Sequence, residues 1–155
     1  MKIYITIKGT ATKSGYVNIN PVANQSGFVK ADVRNLNDFV SDNECTEILI
    51  DNVLSFLEKR QALQAIDHWI SKLRHGGKII IKDIDSLEIS RNFVSSTIND
   101  EQYDELVHGK FTQPWDVKLS SYTLESISNQ LSSRNLRLTK KRIRGFDLVV
   151  EGTRQ

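Results

Sequence analysis

The chain has 155 residues, a net charge of +2, 39% apolar side chains and 26% charged ones, which suits one domain (1–155) with its own core and excludes a disordered or fibrous chain. No stretch approaches the ~20 apolar residues of a membrane-spanning helix, and so small a net charge does not call for a polyanionic partner. The single cysteine, Cys45, cannot form an internal disulfide, and with no secretory signal in view the setting expected is the cytoplasm.

In chain order, residues 2–7 alternate β-branched and polar side chains and predict a strand. Residues 9–15 form a polar turn region, and 16–19 a second short strand closed by Asn20-Pro21, since proline cannot donate to a ladder. Residues 28–33 and 47–50 predict a third and a fourth strand. In 58–74, Ala62, Leu63, Ile66, Trp69, Ile70 and Leu73 recur at spacings of three and four, the stripe of an amphipathic helix. Gly76 and Gly77 suit a left-handed helix stop. Residues 78–84 then read as a strand whose run Ile79-Ile80-Ile81 is expected to be buried on both faces.

Residues 86–96 and 100–107 predict two shorter helices. Pro114 belongs to a loop. Thr123 is placed to cap a helix carrying Leu124, Ile127 and Leu131 on one face, with Asn135 near its end. Residues 136–144 and 146–151 predict an antiparallel hairpin turning at Gly145. The fold class expected is therefore α/β: a Rossmann-like, mostly parallel open sheet flanked by helices, with a C-terminal antiparallel β-hairpin. Ligands in such sheets bind beyond the carboxyl ends of the strands.

Glu47-Ile48-Leu49-Ile50-Asp51-Asn52-Val53-Leu54, the amphipathic helix, and Leu73-Arg74-His75-Gly76-Gly77-Lys78-Ile79-Ile80-Ile81 together resemble the class I (Rossmann-like) S-adenosylmethionine (SAM)-dependent methyltransferases. In that family a fourth strand, a loop, a helix and a double-glycine turn lead into the fifth strand. Gly15-Tyr16-Val17-Asn18-Ile19-Asn20 and Ala31-Asp32-Val33-Arg34-Asn35-Leu36 resemble its second and third strands, Asp85 its aspartate after the fifth, and Gln113-Pro114-Trp115-Asp116-Val117-Lys118 the loop before its last helix. The resemblance implies SAM as cofactor, lined by Gly9, Asn20 and Asp32, with Asp51 and Asn52 facing the reacting end and an unknown small-molecule or macromolecular methyl acceptor.

The sequence also departs from the family. Only Gly9 represents its glycine-rich first loop, and the connection to the second strand is too short for the usual helix. Asn20 stands where an acidic residue normally holds the ribose; an amide binds a hydroxyl more weakly than a carboxylate does. Asp51-Asn52, Ser55-Phe56 and Lys118 replace histidine-bearing positions. A catalytically inactive binding or assembly module on the same fold is the alternative.

Of the three histidines, His68 lies beside the apolar stripe, a structural or exposed position, His75 at a helix C-terminus, and His108 is the least constrained. Asp32 and Asp51 read equally as strand-end carboxylates bonded to turn amides. Asp116 and Lys118 read as an exposed loop pair. Metal binding is not expected from one cysteine and scattered histidines. The basic run Arg137, Lys140, Lys141, Arg142 and Arg144 reads as a solvated edge strand rather than a nucleic-acid surface.

Overall fold

The computed structural model describes residues 1–22 and 24–155. Its elements are β1 (Lys2–Thr6), β2 (Val17–Asn20), β3 (Val29–Lys30), β4 (Cys45–Asp51), a 3-10 turn (Leu54–Phe56), α1 (Lys59–Lys72), β5 (Leu73–Ile84), α2 (Ser86–Val94), α3 (Asp100–His108), α4 (Leu124–Ser132), β6 (Leu136–Arg144) and β7 (Asp147–Arg154). One seven-stranded sheet runs in the order β3-β2-β1-β4-β5-β7-β6. β1 to β5 are mutually parallel, and β7 runs antiparallel between β5 and β6. The strands expected at 2–7, 28–33, 47–50 and 78–84 thus share one sheet and one direction, so their carboxyl ends form a common crest.

β1 and β4 alternate because the two faces of the sheet meet different surroundings. Ile3, Ile5, Ile19, Ile48, Ile50, Ile79 and Ile81 point to one face and are buried against Ala62, Ile66 and Trp69 of α1. Glu58 starts α1 by accepting from the amides of Arg60 and Gln61. α4 starts at Thr123, which forms a capping box with Ser126, and buries Ile127 and Leu131 near β6 and β7. Asn135 follows it with φ of 63°, the left-handed conformation for which an asparagine is suited.

Residues 31–44 form no helix. They are held to α1 instead. The Trp69 indole donates to the Val33 carbonyl at 2.8 Å, the Leu36 amide donates to His68 Nε2 at 2.8 Å, and the buried Lys72 ammonium reaches Asn37 and Asp42. His68 is therefore structural.

The opposite face is clad with charge. Lys78 lies 3.3 Å from Glu47 and 3.6 Å from Glu151; Lys82 lies 3.7 Å from Asp51 and 3.8 Å from Asp147. The hydroxyls of Tyr16 and Tyr4 extend these two rows by donating to Glu47 and Asp51. Lys78 and Lys82 remain 39% and 38% exposed, so this face is open to solvent over β5, while Tyr4, Thr6, Asn18 and Glu47 on the same face are buried. The expectation that the 79–81 run is buried on both faces is thereby corrected: Ile79 and Ile81 are fully buried, but Ile80 points to the charged face and is half-buried.

Two further boundaries differ from expectation. β3 is limited to Val29–Lys30 because the Asp32 carboxylate and carbonyl accept from Arg34 and Asn35, turning the chain at once. α1 ends at Lys72 without a glycine, and Gly76 and Gly77 lie within β5, where the register to β4 shifts between Cys45 and Glu47. A Cβ on Gly77 would lie 2.7 Å from the Cys45 carbonyl oxygen, so glycine is required there by close approach rather than by a helix stop. Gly145, with φ of 62°, turns the terminal hairpin, and β6 is an edge strand whose basic side chains are exposed. Among the described residues no helix is long and apolar enough to cross a membrane.

Candidate functional site

At the crest, residues 7–16 carry the chain from β1 to β2 without a helix. Asn18 anchors this loop by accepting from the Lys13 amide and donating to the Lys13 and Tyr16 carbonyls. The Gly9 amide donates to Thr6 Oγ1 at 3.0 Å. A Cβ at Gly9 would lie 2.8 Å from the Thr6 side chain and 3.0 Å from the Tyr4 hydroxyl, so glycine lets the loop lie flat on the strand ends. Asn20 is fully buried; its Nδ2 donates to the Ile7 carbonyl at 3.0 Å and its Oδ1 accepts from the Val22 amide at 2.9 Å. The amide expected at a ribose thus ties the ends of β1 and β2 together.

Beyond β2 and β3 lies an open groove of about 610 Å³ bordered by Pro21, Ala31, Asp32, Val33, Arg34 and Leu57. Arg34 grips the Asp32 carboxylate with Nε at 3.0 Å and a terminal nitrogen at 2.9 Å. That guanidinium holds the Asp32 carboxyl below its usual range.

A second cavity, of about 320 Å³, opens beyond β1, β4 and β5 and is lined by Lys8, Asn52, Phe56, Ile84, Glu105, Leu106, Lys110 and Lys118. The structure divides the two residues placed at the reacting end. Asn52, with φ of 56°, borders this chamber. Asp51 turns to the charged face, where it accepts from the Tyr4 hydroxyl at 3.0 Å and from Asn52 Nδ2 at 2.8 Å. Burial, followed by the Asp51 charge, raises the Tyr4 pKa.

Asp116 is fully buried and its ion-pair partner is Lys8, at 2.8 Å, not Lys118. The exposed loop pair expected for Asp116 and Lys118 is corrected accordingly. Asp116 also accepts from Thr112 Oγ1 at 2.6 Å. Burial alone would raise its pKa; Lys8 and Thr112 outweigh it and hold the carboxyl at about 2. The Lys8–Asp116 bridge straps the loop after β1 to the 109–118 loop, and Lys8 itself lines the chamber. Lys118 donates to the Leu106 carbonyl at 2.9 Å, and burial lowers its pKa. Behind it, Asp83 is fully buried and accepts from the amides of Ser55 and Ile84; desolvation raises its pKa. The ammoniums of Lys8 and Lys118 lie 5.5 Å and 5.9 Å from the centre of the Phe56 ring, which Trp115 meets edge-on.

Lys8, Phe56, Glu105 and Lys110 complete the chamber; Phe56 stands at one of the positions where the family carries histidine, Lys8 lies beside Gly9, and Glu105 and Lys110 carry no sequence signal. None of the three histidines borders either cavity: His75 bonds the Gln155 carbonyl, and His108 ends α3. Asp85 caps α2 through the Glu88 amide and accepts from the Leu124 amide. Among the described residues no cluster could hold a metal ion.

No family model matches the sequence, and no curated protein sequence matches it either. Solved structures do match, and they define the fold as that of the class I SAM-dependent methyltransferases. A 1,6-didemethyltoxoflavin-N1-methyltransferase of Burkholderia thailandensis, solved with bound 1,6-didemethyltoxoflavin and S-adenosylhomocysteine, is similar over 99% of this chain and 71% of its own, with a TM-score of 0.68 at 10% identity. A SAM-dependent methyltransferase of Thermotoga maritima is similar over 99% and 82%, with a TM-score of 0.62 at 12% identity. Against an O-methyltransferase family protein of Burkholderia thailandensis, with a TM-score of 0.55 at 13% identity, 83% of this chain spans 35% of that one.

Proposed function

We propose that the protein binds SAM along the carboxyl ends of β1, β2 and β3 and that a methyl acceptor occupies the chamber beside them. The observation that carries this reading is the pair of cavities on one parallel crest in this fold, the groove at Pro21, Asp32 and Leu57 and the chamber at Lys8, Asn52 and Phe56. The groove suits a nucleoside: Pro21, Val33 and Leu57 offer apolar walls, and the Asp32 carboxylate offers acceptors at the rim. Gly9 and Asn20 shape the floor between the cavities through the loop they brace. When bound, SAM supplies an already activated methyl group. The chain's own tasks are then to orient the acceptor and exclude water.

Asn52 and Phe56 position a molecule in the chamber, and the Lys8–Asp116 strap fixes Lys8 in its wall. Glu105 is its one carboxylate, and Asp51 turns away from it. Such a chamber suits an acceptor that needs little help losing a proton.

Calorimetric titration with SAM and S-adenosylhomocysteine tests the reading. We expect saturable heat, a raised melting temperature, and weaker binding in Asp32→Ala. Absence of heat and of a thermal shift at millimolar ligand rejects it. That outcome would favour the second reading, a fold kept as a binding or assembly module, which the internal engagement of Asn20 supports.

A further inference from the structure

We infer that the chamber beyond β1, β4 and β5 takes a small anionic molecule, with a carboxylate or phosphate held by Lys110 and Lys118 and an apolar body lying on Phe56, Leu106 and Ile84. As a statement about the methyl acceptor this rests on the function proposed above; as a statement about a binding site it does not.

The first support is an imbalance of charge. Three lysines line the chamber against one carboxylate, Glu105. Lys8 is neutralised by Asp116. Among the described residues, neither Lys110 nor Lys118 has a carboxylate within ion-pair distance; the carboxylates that act on Lys118, those of Asp83, Asp116 and Asp147, do so at longer range.

The second support is an incomplete set of hydrogen bonds. An ammonium offers three donors. The half-buried Lys118 uses one, to the Leu106 carbonyl. Phe56 lies within cation–π reach of Lys118 and of Lys8, which keeps both ammoniums at the chamber wall. An anion arriving there meets the half-buried Lys118 ammonium, whose hydration is reduced, and the exposed Lys110 ammonium beside it, both able to give charge-assisted bonds.

The third support is size. A volume of about 320 Å³ lies at the lower end of the range for small-molecule sites, which favours a compact organic acid over a polymer. An acceptor that is already ionised also needs no base, and no histidine borders this chamber.

The test compares benzoate and phenyl phosphate with benzamide, a neutral molecule of the same shape as benzoate, by calorimetry and ligand-observed NMR. Binding of at least one anion is expected, with benzamide roughly tenfold weaker or worse, and the better anion separates carboxylate from phosphate preference. Lys110→Gln is an exposed substitution that leaves the core intact; it is expected to cost the anion roughly tenfold, as loss of one charge-assisted bond does. Lys118→Met is expected to cost more, and is read only if its melting curve stays cooperative. Equal binding of benzoate and benzamide, no binding of either anion, or an anion affinity unchanged in Lys110→Gln overturns the inference. S-adenosylhomocysteine is titrated in parallel. Its binding without the anions leaves the cofactor reading and removes the anion site; anion binding without it does the reverse.

Discussion

Asp116→Asn removes the buried charge on which the Lys8 strap depends. A carboxyl ordinarily near 3.8 and held at about 2 corresponds to roughly 2.5 kcal/mol of folding stability at neutral pH. Its partner Lys8 is 41% exposed, so solvent screening reduces this to about 1–2 kcal/mol. The folded-state pKa is depressed, so the contribution is complete above the unfolded value, and it fades as pH falls through the folded one. About half should remain near pH 3 and little near pH 2. Urea unfolding of wild type and variant across that range measures the difference directly, with other carboxylates cancelling between the two proteins. A gap that stays constant from neutral pH down to about pH 2 would refute the assignment to an ionised Asp116, and so would the absence of any gap at neutral pH.

Trp69→Phe leaves the buried Val33 carbonyl without its donor; urea unfolding should show a loss of about 1–3 kcal/mol. Gly77→Ala places a Cβ against the Cys45 carbonyl and should cost about 1–3 kcal/mol through strain, visible as a lower denaturation midpoint with an unchanged slope. His68 accepts from Leu36, and burial, then Lys72, lowers its pKa. The unfolded chain therefore binds this proton more readily, and stability should fall as pH drops below the ordinary histidine value of about 6.5. His68→Gln should flatten that part of the melting-temperature profile, and a profile of unchanged steepness counts against the assignment.

The inward half of the fold was legible because period and environment agree. Ile3, Ile5, Ile48 and Ile50 alternate, and Ala62, Ile66 and Trp69 keep helical spacing, so each element announces its buried side. The outward half was not. Ile79-Ile80-Ile81 reads as doubly buried, and its exposed side becomes evident only when Lys78 and Lys82 are aligned with Glu47 and Asp51 by the sheet register. The ends of elements escaped for a similar reason. Asp32 and Arg34 cut β3 short through a side-chain turn, and Gly76-Gly77 mimics a helix stop while serving a bulged strand. At the site, the crest position of Asp32, Asp51 and Asn52 follows from strand order. Their partners do not, since Arg34 competes for one carboxylate and Tyr4 draws another to the sheet face. Asp116 finds Lys8 across a distance in sequence that no local pattern spans.

The ionic cladding on one side of the sheet has a calorimetric consequence. Unfolding raises heat capacity through newly wetted hydrocarbon and lowers it through newly wetted polar groups. A chain of 155 residues would ordinarily show an increment of about 1.9–2.3 kcal/mol/K. With Glu, Asp, Lys and Tyr side chains where a second helical layer would have brought oil, the increment should fall below that range. Its stability curve would then be a shallow arch, changing slowly between cold and warm.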